Sequence, residues 1–156
     1  MTATHLRLTW TLTGTGWAEC TLADRQGSVT LTASHLSDAP ARLLAAVARL
    51  VAGETETRAQ FEAEPTAYRW VLYREGDEAW LRVLELRDGG DHDNRGTEVW
   101  SRQLPLDELA CAVVRCFDEV AHRYGVSGYR GRWREHFPDA ELAALRRAWQ
   151  EYRHAR

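Results

Sequence analysis

The sequence predicts an α+β protein: a mainly antiparallel sheet of six to seven strands, with helices packed on one face, in the order βββ-α-ββββ-αα(α). Three observations lead there. Apolar residues alternate with polar ones over residues 5–12 and again over residues 58–64. Helical three-four spacing takes over after residue 105. The strand-like runs are joined by short, turn-forming links, which favour antiparallel pairing over crossover connections.

Leu6, Leu8, Trp10 and Leu12 alternate with His5, Arg7, Thr9 and Thr11, the pattern of a strand with one buried face. Runs from Trp17 to Leu22 and from Ser28 to Ala33 flank Ala23-Asp24-Arg25-Gln26-Gly27 and read as a hairpin. Ser37 or Asp38 is placed to cap a helix that tolerates Pro40 in its first turn and aligns Leu43, Leu44, Val47, Leu50 and Val51 on one face before Gly53. Ala59, Phe61 and Ala63 alternate with Arg58, Gln60, Glu62 and Glu64 up to Pro65. Strands Ala67 to Arg74 and Glu78 to Arg87 follow, joined at Glu75-Gly76-Asp77, and a polar loop over 88–96 leads to a last strand around Val99 and Trp100. From Leu106 to Tyr124 the apolar stripe runs for five turns. Beyond Gly125 come a short segment with Tyr129 and Trp133, then a final helix with a narrow stripe of Leu142, Leu145, Trp149 and Tyr152. The 156 residues fit one domain, 1–156, with the segment 126–156 packing on the sheet or on a partner.

Composition narrows the chemistry. With 44% hydrophobic and 28% charged residues the chain is that of a folded globular protein. Its apolar runs are too short for a membrane span and its N-terminus lacks a signal-peptide pattern, so the expected compartment is the cytoplasm. All 20 basic residues are arginine. The absence of lysine excludes a P-loop lysine, a Schiff-base lysine and a lysine general base. Residues 1–121 carry 12 Arg against 19 Asp and Glu, and residues 122–156 carry 8 against 4. That division fits a basic helix docking on its own acidic body or on a partner's, or a nucleic-acid-binding tail.

The candidate reaction centres are weak on their own residues. The loop Asp88-Gly89-Gly90-Asp91-His92-Asp93-Asn94-Arg95-Gly96 suggests a calcium loop, but Arg95 and Arg102 fall where ligands are required. Cys111 and Cys116 stand five apart on a helix, roughly 140° around its axis, which separates them for zinc. No metal and no cofactor is expected. Glu62 and Glu64, two apart on one strand, would lie about 6–7 Å from each other, a usable acid-base spacing that solubility explains equally. Ser34-His35 and Ser37-Asp38 lack a nucleophile elbow, and no G-x-G-x-x-G follows a strand.

Aromatics beside arginines carry the strongest signal. The strands over 67–87 are apolar on both faces, so something must cover the second face: a loop, a helix or a partner. Trp17, Arg69, Trp80, Arg82, Trp100 and Arg102 match the composition of interface hot spots. Arg130, Arg132 and Trp133, in the run Tyr129-Arg130-Gly131-Arg132-Trp133-Arg134, have the ingredients for stacking on bases while holding phosphates, against the acidity of the whole chain.

The stretch from Gly16-Trp17 through ASHLSDAPARLLAAVARLVAG to FEAEPTAYRWVLYREGDEAWLRVLEL resembles a class of small bacterial proteins known only as domains of unknown function. In size and acidity the chain is also similar to immunity proteins of bacterial toxin systems. The resemblance implies no catalytic residue. The expectation is a non-catalytic protein-binding module, immunity- or antitoxin-like, meeting a protein partner or a second copy rather than nucleic acid or a membrane. The alternative is a small-molecule-binding protein or minor enzyme with a pocket between sheet and helices.

Overall fold

The computed structural model describes residues 5–156. Strands β1 (Arg7–Gly14), β2 (Trp17–Asp24) and β3 (Gly27–Ser34) precede helix α1 (Ala39–Ala52). Strands β4 (Glu56–Glu62), β5 (Ala67–Glu75), β6 (Glu78–Leu86) and β7 (Thr97–Pro105) follow, and then helices α2 (Leu106–Trp133) and α3 (Asp139–Ala155). The fold is α+β in the order the sequence predicts, with its seven strands divided between two antiparallel sheets, β1-β2-β3 and β4-β5-β6-β7. The division falls where α1 is inserted: a helix between β3 and β4 replaces the short turn that would continue one meander.

The first sheet obeys its alternation. Leu8 pairs with Leu22, Trp10 with Cys20 and Leu12 with Ala18, and all six are buried on one face. The opposite face carries threonines, with the hydroxyls of Thr21 and Thr30 in contact across the strands at 2.9 Å. In the second sheet the register puts Phe61, Trp70, Leu72, Leu81, Val83 and Trp100 on the face toward the core. Trp10 stitches these layers together, with ring centroids 5.8 Å from Phe61, 6.1 Å from Phe117 and 5.2 Å from Trp133. One aromatic thus joins both sheets to α2.

The long apolar stripe forms α2 as its spacing predicts, and the helix breaks at Gly125 as expected. That residue adopts φ 68° and ψ 170°, a kink after which helical structure resumes to Trp133. The resumed turn carries Tyr129 and Trp133 into the core, both fully buried. The short segment beyond the break is thus a helical one, held in place by these two aromatics.

Helix α3 lies along α1 and buries Leu142 and Leu145. Its polar groups meet the acidic body: Trp149 Nε1 donates to Asp107 at 2.8 Å, Tyr152 Oη donates to Asp77 at 2.7 Å, and Arg146 pairs with Asp118. Two arginines of the basic segment, Arg146 and Arg153, thus pair with aspartates of the acidic body.

Candidate functional site

The outer face of the second sheet is apolar along the β5–β6 pair, where Ala67, Val71, Leu84 and Leu86 are buried although they point away from the core. The loop over 87–96 folds back across them. A side chain on Gly96 would meet Leu86 and Leu84 at 3.0 and 3.1 Å, so glycine permits the close approach. Arg69 clamps the loop by donating to the carbonyls of Asp91 (2.8 Å) and Gly89 (3.0 Å), to Asp93 (2.8 Å) and to Gln60 (2.9 Å). Arg58 adds a two-pronged bond to Asp93 at 3.0 and 2.8 Å. Together the two guanidinium groups hold the Asp93 carboxyl down to about 2, hydrogen bonding being the main cause. The loop that hinted at calcium is therefore a lid on an apolar face, its central carboxylate already engaged by arginine. Glu62 and Glu64 do not share a strand either: β4 ends at Glu62, and Glu64 sits in the following turn at φ 51°.

The lid stops short of the far end of the sheet. There Tyr73 faces Trp80 across the β5–β6 pair, and Arg82 follows two residues along β6 on the same side. All three are half-buried. Arg82 Nε donates to Glu98 at 2.7 Å, and this bond is the first cause of its raised pKa, with the Tyr73 phenol also close. A flat indole, a phenol and a guanidinium held by a carboxylate form a rigid patch. Glu56, Glu78 and Glu98 stand around it.

The other residues expected from the sequence lie apart. Trp17 is 37% exposed on the outer face of the first sheet. Trp100 is buried, with the Arg102 guanidinium stacked 3.8 Å from its ring centroid. Arg130 projects from the resumed turn of α2 into solvent. Arg132 reaches back to the carbonyl of Leu12 at 3.2 Å, and Trp133 is core. Only Trp80 and Arg82 come together with an open surface, with Arg69 beside them under the lid. Sequence reasoning missed Tyr73, whose register opposite Trp80 was the available signal.

Among the described residues, no helix is long and apolar enough to cross a membrane. No family model matches the chain, and no curated protein and no solved structure proves similar to it.

Proposed function

We propose that the chain is a non-catalytic protein-binding module that docks a partner protein across the outer face of its second sheet, at Tyr73, Trp80 and Arg82. The observation that carries this reading is the incomplete lid. The chain covers the apolar half of that face with its own loop and leaves open the half whose residue types dominate interface energetics. Rigid aromatics lose little side-chain entropy on docking, and Arg82 is already oriented by Glu98, so the patch is preorganised. Glu56 and Glu98 are paired with Arg58 and Arg82, so the patch carries little unanswered charge and favours a partner with an apolar pocket for the Trp80 indole. A toxin-neutralising role is one concrete form of such a module.

The test is capture from extracts of the native host by the full chain, compared with its Trp80→Ala and Trp17→Ala variants. Loss of a buried tryptophan anchor costs roughly 2 kcal/mol or more, about thirtyfold in affinity. The protein captured by the wild-type chain should be lost with Trp80→Ala and kept with Trp17→Ala. A captured protein held equally by the Trp80→Ala chain, or self-association through Trp80 in sedimentation experiments, would overturn the reading.

A further inference from the structure

Two sheet edges are finished differently. Edge strand β1 is closed at both ends by side chains of α2: Glu108 accepts from the Leu6 N–H at 3.1 Å, and Tyr124 Oη accepts from the Leu12 N–H at 3.0 Å. Edge strand β4, paired only with β5, is closed at one end. There the Ser37 hydroxyl donates to the Gln60 carbonyl at 3.5 Å and accepts from the Glu62 N–H at 3.2 Å. By the alternation of an antiparallel strand, the backbone groups of Arg58 point the same way, away from β5. The Arg58 N–H, the Arg58 C=O and the Gln60 N–H have no partner among the described residues.

Helix α1 runs antiparallel beside this edge: Ser37 stands before its first turn opposite Gln60 and Glu62, and the Ala46 carbonyl in its middle accepts from Thr57 Oγ1 at 2.9 Å. Between helix and strand lies a groove of about 400 Å³, walled by Arg42, Ala45 and Arg49 of α1, Arg58 and Gln60 of β4, and Arg69 of β5. Every charged residue that lines it is an arginine. Arg49 pairs with Glu54, Arg58 with Glu56 and Asp93, and Arg69 with Asp93, whereas Arg42, exposed on α1, forms no ion pair with any described residue.

We infer that this edge docks an extended acidic segment of another protein, which adds to the second sheet beside β4, bonds its main chain to Arg58 and Gln60, and turns carboxylates toward Arg42 and Arg49. The backbone selects the form of the occupant: free amides and carbonyls two residues apart are completed by another extended chain, laid here between a sheet edge and a helix. Small Ala45 leaves space for it. The walls select its charge, and they oppose a second copy, whose edge would bring Arg42, Arg49 and Arg58 against the same three residues. The site lies apart from Tyr73, Trp80 and Arg82 and does not depend on their docking role.

The probe is a fluorescein-labelled peptide of alternating glutamate and valine, added to the full chain and read by anisotropy and by amide hydrogen exchange. It should bind, and at saturation it should slow exchange of the Arg58 and Gln60 amides about tenfold or more. The same peptide with every backbone amide N-methylated should not bind, and a peptide of alternating lysine and valine should bind about tenfold more weakly or not at all. Ala45→Glu, which puts a carboxylate into the groove from the helix surface, should abolish binding. Arg42→Glu, at an exposed position, should weaken it about tenfold and keeps the test decisive if the Ala45 variant unfolds. No binding, unchanged exchange at Arg58 and Gln60 with the peptide bound, equal binding of the N-methylated or lysine peptide, or wild-type affinity in the Arg42→Glu chain would overturn the assignment.

Discussion

Arg102 on β7 grips Asp24 at the end of β2, with Nε 2.6 Å from Oδ2 and Nη2 3.2 Å from Oδ1. The Asp24 side chain is 1% exposed and the Arg102 side chain 17% exposed, so the fork ties the two sheets at a nearly dry margin. Arg102→Leu leaves that carboxylate buried without its cation and should cost about 3–5 kcal/mol in denaturant unfolding. The double change Asp24→Asn with Arg102→Leu should cost distinctly less than Arg102→Leu alone. A double variant as unstable as the single one would show that lost packing on Trp100, and not the stranded charge, sets the cost.

Acid should weaken the fold through two aspartates. Burial works to raise the pKa of Asp24, but hydrogen bonds from Arg102 and the Gln26 backbone outweigh it and leave it lowered; Asp93 is held at about 2 by Arg58 and Arg69. A carboxyl with a depressed folded pKa binds fewer protons native than unfolded, so its contribution is present above the unfolded value near 4 and disappears as pH falls through the folded value. Denaturant midpoints should therefore fall steeply between about pH 4 and pH 2. Asp93→Asn should flatten that limb and lower stability at pH 7; an unchanged acid limb would show that the lid clamp does not contribute.

Removing the chain after Pro138 should unfold the body rather than expose a working surface. The cut deletes Leu142, Leu145 and Tyr152 from the core, bares the α1 surface they cover, and leaves Asp77, Asp107 and Asp118 without α3 partners. Loss of the cooperative thermal transition is the expected result. A truncated chain that melts like the full one would show α3 to be an appendage.

The sequence made β1 and α2 readable because each has a single, uninterrupted period: Leu6 to Leu12 by twos, Leu106 to Tyr124 by threes and fours. It also showed that β5 and β6 need a second cover, since Val71 and Leu84 cannot share a face with Trp70 and Val83. What covers them was not legible. The loop over 88–96 is polar in composition and does its covering through backbone carbonyls gripped by Arg69, a contact with no local pattern. The break at Gly125 was legible from the glycine, and the helical segment after it fills the optional third helix of the predicted order, fixed by the burial of Tyr129 and Trp133.

The three contacts that finish the edge of β1 span 102, 112 and 120 positions of sequence. During synthesis the first three strands leave the ribosome long before Glu108, Tyr124 and Arg132 exist to close that edge. Until α2 has been made, the nascent protein carries an open strand able to pair with a neighbouring chain on the same messenger. Slow passage through the α2 codons is therefore expected to lower yield, and a chaperone that shields residues 6–12 would act on an edge that closes only once α2 has been made.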